Sequence, residues 1–228
     1  MNEGNEQDVL LAVTDSLGMP RDGVEYRDTW IHKLRKTSRC EIVARTKRAA
    51  TTKRLYSDDS LERYDPDIVV TQLGIVDCAP RYSNNIERRL FRSFPSRLTK
   101  RYMAVMKRVR ARKARRSYVS VEDFRSYLND YYERAMSNDI TVYSIIIAPP
   151  SSTFIDSNPR IESETNRYNK IYESVTRKYD GVCLINPYQQ VRNVDAIMVD
   201  NEHPNPGGHD LIYESVAKAL SNTTTDTL

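Results

Sequence analysis

The sequence predicts an α/β protein, a three-layer α/β/α sandwich built on a parallel sheet. Two observations carry that prediction. Short apolar runs recur along the 228 residues, and stretches with helical spacing separate them. None of the runs alternates cleanly between apolar and polar residues, which is the pattern of strands covered on both faces. Strands joined by helices pair in parallel through right-handed crossovers, so helices come to lie on both sides of the sheet.

The elements follow in order. Val9 to Val13 (VLLAV) is the first strand, and Glu41 to Ala44 (EIVA) is a weaker candidate. Ile68 to Leu73 (IVVTQL), Ile140 to Ala148 (ITVYSIIIA) and Val182 to Ile185 (VCLI) are the remaining runs. After the first strand, GMPRDGVEYRDTW reads as a polar turn feeding a helix with Trp30 turned inward. Helical spacing covers Leu90 to Arg116, Val121 to Met136 and Arg167 to Lys178, and Leu211 to Leu220 (LIYESVAKAL) closes the fold as an amphipathic helix. The length fits one domain over residues 1–220. A basic helical insertion around 82–138 is longer than a crossover needs and is read as a cap or flank. Residues 221–228 (SNTTTDTL) are read as a disordered tail.

Composition narrows the functional classes. Hydrophobic residues at 39% support a real core, while 29% charged residues imply a heavily charged surface. No apolar run approaches the roughly 20 residues that cross a bilayer. The N-terminus MNEGNEQD is acidic and polar, unlike a secretory leader, so a cytoplasmic location is expected. Three scattered cysteines (Cys40, Cys78, Cys183) do not make a disulfide framework, and with three histidines and no CxxC no metal site is expected. Cys78 reads as a buried thiol.

The net charge of +4 hides one local feature. Residues 100–116 (KRYMAVMKRVRARKARR) hold nine basic residues and no acidic one, leaving the rest of the chain at −5. This stretch is either a solvated helix on one flank of the sheet or a docking face for an anionic polymer or lipid head group. No RNA-binding aromatic signature accompanies it, which argues against nucleic acid.

In an open α/β sheet the ligand sits beyond the carboxyl ends of the strands. There the sequence places Thr14-Asp15-Ser16-Leu17-Gly18, Gly74-Ile75-Val76-Asp77-Cys78-Ala79-Pro80-Arg81 and Pro149-Pro150-Ser151-Ser152. A serine nucleophile needs a base within hydrogen-bond reach, and the base needs an orienting acceptor. Only His32, His203 and His209 are available. His203 lies in Asp200-Asn201-Glu202-His203-Pro204-Asn205-Pro206-Gly207-Gly208-His209, whose prolines and glycines read as a loop running into the last helix. An Asp and a His three residues apart in a loop can meet through one imidazole nitrogen and leave the other free. Read alone, Ser16 also fits an N-cap of the first helix, and His203 also fits a satisfied loop histidine.

Taken together, these segments resemble the SGNH/GDSL hydrolases. TDSLG resembles their opening GDSL block, PDIVVTQLGIVD their PDxVxxxxGxND segment, and DNEHPNPGGH their closing DxxHPNxxGH block, in the same order along nearly the whole chain. The resemblance implies a flavodoxin-like sandwich of about five parallel strands and an esterase needing no cofactor. It implies Ser16 as nucleophile, His203 as general base and then acid, and Asp200 as the group that fixes the His203 tautomer. His209 matches the family's second histidine and is read as a helix-start or packing residue.

Three positions depart from the family pattern. Thr14 replaces the opening glycine. The second block falls on ARTKRAATT and puts Ala49 at the glycine whose N–H helps bind the oxyanion, together with the N–H of Ser16. Val76 stands where the family has an oxyanion-binding asparagine, and a valine donates nothing; one such donor is typically worth about 10²–10³ in turnover. Arg81 is the substitute the sequence offers, with Arg48 second. Arg21, Gly74, Asp77 and Arg81 are the substrate-contact candidates, although Asp77 also reads as an acceptor that pins loop backbone, because a carboxylate beside an oxyanion is repulsive. The middle block LGIVDCAPR resembles members associated with surface polysaccharides, which points to O-acetyl groups on a carbohydrate. An O-acetyltransferase, differing in how well the site excludes water, and a weakly active carbohydrate- or anion-binding member of the fold are the alternatives.

Overall fold

In a computed structural model that describes residues 7–80 and 117–223, five strands form one parallel sheet in the order β2-β1-β3-β4-β5. They are β1 (Val9–Thr14), β2 (Glu41–Thr46), β3 (Ile68–Gln72), β4 (Thr141–Ile145) and β5 (Val182–Ile185). This is the flavodoxin-like order, which reverses direction at the β1/β3 boundary and opens a crevice beyond the carboxyl ends of those two strands. At that boundary Thr14 pairs with Thr46 on one side and Gln72 on the other. The ladder continues past the strand ends, with Lys47 N–H donating to Thr14 O (3.1 Å) and Asp15 N–H to Gln72 O (3.2 Å). Three chain segments are thereby held side by side where the site must lie.

The apolar runs lack alternation because both faces are buried. Along β1, Leu11 and Val13 belong to one core, and Leu10 and Ala12 to the other. The first core packs under α5 (Val121–Met136) and α7 (Ile161–Thr176), which contribute Phe124, Leu128, Tyr132, Tyr168 and Tyr172. The second packs under α1 (Trp30–Thr37) and α8 (Pro206–Thr223) through Trp30, Leu34, Ile212 and Val216. Each such side chain stabilises the fold by roughly 1.5–3 kcal/mol through burial. Shorter helices α2 (Lys53–Ser57), α3 (Ser60–Tyr64), α4 (Ile75–Cys78) and α6 (Ser152–Ser157) fill the connections among the described residues.

Three expectations need revision. The described part of the 82–138 insertion contains α5, whose Phe124, Leu128, Tyr131 and Tyr132 are fully buried, so this part is a crossover helix of the sandwich. The basic run 100–116 and Arg81 lie outside the described residues. The closing helix starts at Pro206 instead of after His209, because proline suits the first helical position and Asn205 caps it, its Oδ1 accepting from Gly208 N–H at 3.0 Å. The same helix runs through Thr223, past the expected start of the tail.

Candidate functional site

Ser16 opens a short 3₁₀ turn, Ser16–Gly18, directly after β1. Asp15, not Ser16, caps this turn, with its Oδ1 accepting from Leu17 N–H at 2.8 Å. Gly18 is demanded by space, since a Cβ there would sit 2.5 Å from Thr14 Oγ1. The Ser16 hydroxyl is therefore spared from capping, and its Oγ lies 3.0 Å from His203 Nε2.

Asp200 meets the other face of the imidazole, with His203 Nδ1 2.8 Å from Oδ1 and 2.9 Å from Oδ2. The N–H groups of Glu202 and His203 donate to the same Oδ1 at 3.0 and 2.9 Å. Burial alone would raise the Asp200 carboxyl, but these backbone donors and the His203 ring outweigh it and hold the group below the usual carboxylate range. His203 is lowered from its ordinary value chiefly by burial. Asp200 opposes that shift, and the positive charges of Arg21 and Arg48 add to it. A neutral imidazole between a carboxylate and a serine hydroxyl is the arrangement in which a base is ready to accept the serine proton.

The loop carrying Asp200 and His203 is fixed from several sides. Val199 N–H donates to His203 O at 2.9 Å, and Asn205 N–H to Ile197 O at 2.9 Å. The segment after β4 reaches across to it, Ser151 Oγ donating to Asn201 O at 2.8 Å and Thr153 Oγ1 to Asn201 Oδ1 at 3.0 Å. His209 is buried and pushed down to about 4, mainly by burial, and its Nδ1 lies 3.4 Å from the donor Trp30 N–H. It packs α8 against α1, in keeping with a structural role. Trp30 is fully buried, its Nε1 donating to Gln72 Oε1 at 2.8 Å. Cys78 is likewise fully buried, and burial pushes its thiol well up.

The expected substrate contacts fare differently. Arg21 Nη1 donates to Asp200 Oδ2 at 2.7 Å. Gly74 has a backbone reason to be glycine, with φ at 117° and a would-be Cβ 2.7 Å from Ile147. Asp77 is fully buried and accepts from Thr52 N–H (2.9 Å) and Thr52 Oγ1 (2.6 Å), so it anchors the loop after β2. Asp77 thus holds loop backbone, one of the two roles expected of it, and Arg21 and Asp77 both tie segments of the crevice wall together. Val76 sits in the first turn of α4, partly buried against the first core. Ala49 is exposed and has φ at 53°, the left-handed region that glycine enters without strain. A glycine conformation thus occurs at the position matched to the family's glycine. Among the described residues, neither the Ala49 nor the Ser16 N–H meets a hydrogen-bond acceptor. No three His, Cys, Asp or Glu side chains among the described residues converge to hold a metal ion, and no described helix is long and apolar enough to cross a membrane.

Asp15 carries a testable cost. It is fully buried, its Oδ2 has no hydrogen-bond partner among the described residues, and burial raises its carboxyl from 3.8 to about 8. Between those values the folded chain keeps a proton that the unfolded chain releases. Stability therefore falls as pH rises from about 4 to about 8, by an amount on the order of 5 kcal/mol, and levels off above. Asp15→Asn keeps an acceptor for Leu17 N–H but cannot ionise. Urea unfolding at pH 5 and pH 8 should show that slope in the native chain and its loss in the variant.

The fold defined by this topology and crevice is that of the SGNH/GDSL hydrolase structures. Solved structures similar to this chain include a lipolytic protein of the G-D-S-L family from Desulfitobacterium hafniense (TM-score 0.63, 16% identity, covering 93% of this chain and 99% of that one). Another is the psychrotrophic esterase EstA from Pseudoalteromonas, inhibited by monoethylphosphonate (TM-score 0.58, 17% identity, 94% and 100% covered). A third is a catalytic mutant of Axe2, an acetylxylan esterase from Geobacillus stearothermophilus (TM-score 0.61, 11% identity, 92% and 93% covered). No protein-family model and no curated protein matches the sequence.

Proposed function

We propose that this chain is a serine esterase that removes O-acyl groups, acetyl first among them, from a carbohydrate. The observation that carries the reading is the continuous relay from Ser16 Oγ to His203 Nε2 (3.0 Å) and from His203 Nδ1 to Asp200 (2.8 Å). Ser16 Oγ attacks the ester carbonyl while its proton passes to His203 Nε2. The oxyanion is received by the N–H groups of Ser16 and Ala49. Collapse breaks the acyl–oxygen bond, and the sugar oxygen leaves with the proton from His203. Water then gives a proton to His203 and attacks the acyl-enzyme; collapse breaks the acyl–Oγ bond, and His203 returns the proton to Ser16 Oγ as the acid leaves.

The Val76 side chain supplies no donor to this hole, so in this reading two backbone donors do the work that three groups share in the family pattern. Support for the ester comes from esterases of the same fold, and support for the sugar from the acetylxylan esterase among them.

A fluorophosphonate probe tests the reading, since phosphorus takes the place of the carbonyl carbon. Labelling of the native chain, with the adduct mapped by mass spectrometry to the peptide containing Ser16, is the expected result. Absence of labelling, or an adduct elsewhere, overturns it.

A further inference from the structure

Outside the relay, a cavity lined in part by the proposed oxyanion loop has a volume of about 490 Å³. Ala49, Thr51 and Lys53 form one wall, and Tyr118, Asp123 and Tyr127 the other. The walls come from distant parts of the sequence, yet one residue ties them together. The Asp77 carboxylate holds Thr52 of the first wall, and the Asp77 backbone carbonyl accepts from Tyr118 N–H of the second at 3.2 Å. Farther out, Arg134 of α5 clamps Glu62 of α3, with its nearest contact at 2.6 Å. Tyr127 is backed by Tyr56 with ring centroids 5.4 Å apart. The walls are thus held by interactions within the chain itself, which lowers the ordering cost of binding.

Its chemistry is mixed in a particular way. Two tyrosine rings offer apolar faces, while the Lys53 ammonium, the Asp123 carboxylate and the Thr51 hydroxyl offer polar ends. Among the described residues neither Lys53 nor Asp123 is in an ion pair. A long acyl chain would strip water from both charges without replacing its hydrogen bonds, which is unfavourable. A pyranose ring lays its C–H face on an aromatic ring and directs hydroxyls outward to donors and acceptors. One cation opposite one anion suits a neutral sugar.

We propose that this cavity is the subsite for a neutral sugar ring on the alcohol side of the ester, with Tyr127 as its platform and Lys53 and Asp123 as its hydroxyl partners. The proposal rests on the ester-cleaving reading of Ser16 and names the part of the substrate that reading leaves open.

The test uses the full chain carrying Ser16→Ala, so that no ester is consumed. Xylohexaose, cellohexaose and mannohexaose are titrated by calorimetry. At least one should bind, and Tyr127→Ala should weaken it about tenfold or more, in line with losing one aromatic contact. Lys53→Met, which leaves the tyrosines in place, should weaken it several-fold and guards against a folding artefact in the first variant. With Ser16 restored, Tyr127→Ala should lower kcat/KM on an acetylated form of the bound oligosaccharide. Binding of none of the three sugars, or binding indifferent to both substitutions, overturns the proposal. So does a loss confined to p-nitrophenyl octanoate, which would make the cavity an acyl pocket. Tyr127-dependent sugar binding by a chain that fluorophosphonate does not label supports the subsite while removing the esterase reading.

Discussion

Replacing Ser16 by alanine is expected to lower kcat for ester hydrolysis by about 10⁶-fold, and His203→Ala should lower it about as far. The two losses should not multiply. Ser16 Oγ and His203 Nε2, 3.0 Å apart, perform one proton transfer, and removing either partner ends it. The double variant should therefore retain the same residual rate as each single one, a remainder owed to binding and to the backbone donors. Purified variants assayed against p-nitrophenyl acetate give the comparison. A Ser16→Ala protein with near-native turnover would place the nucleophile elsewhere. Stability should move little in Ser16→Ala, because Asp15 caps the turn that follows β1. A loss of activity with an unchanged unfolding midpoint separates chemistry from collapse of the fold.

Much of this arrangement is legible in the sequence, for physical reasons that differ from element to element. The strands show as unbroken apolar runs because helices cover both sheet faces; β5 has the bounds its four apolar residues suggest. α5 is equally plain, since Phe124, Leu128, Tyr131, Tyr132 and Ala135 fall on one face. The beginning of α7 is less visible: among its first six residues only Ile161 and Thr165 are buried, so periodicity becomes clear only from Tyr168 onward. Pro206-Gly207-Gly208 misleads because breaker residues are read by average behaviour, whereas here proline occupies the first helical position and Asn205 supplies the cap. Ser16, Asp200 and His203 can be picked out because local spacing and chain order are sequence properties. Two other roles cannot be read that way. Asp77 reaches Thr52 across 25 residues, and Arg21 reaches Asp200 across 179. Nothing in either local pattern says which wall a carboxylate or guanidinium will hold.

Arg21 makes the second large prediction. Asp200 is unusually open for a group that must orient a base, its side chain 46% exposed, whereas Arg21 is 21% exposed. Asp200→Asn is expected to reduce kcat about 10⁴-fold, because an amide can no longer hold the Nδ1–H tautomer. Arg21 acts one step further out. Its Nη1 pins Asp200 Oδ2 at 2.7 Å, while Oδ1 takes both backbone donors. Arg21→Ala should cost about 10–10²-fold in kcat through misorientation, and less than that when Asp200 is already asparagine. It should also change the pH profile. The Arg21 charge helps to lower His203, so removing it raises the imidazole toward its ordinary value. The base must be neutral to accept the serine proton, and the acid limb of kcat/KM should therefore move to higher pH. Arg21→Lys separates the two effects: a lysine keeps the charge and the native limb but loses the guanidinium fork, so kcat falls without the shift. An unmoved limb in Arg21→Ala would show that Arg21 braces the loop and leaves the chemistry of His203 to burial and Asp200.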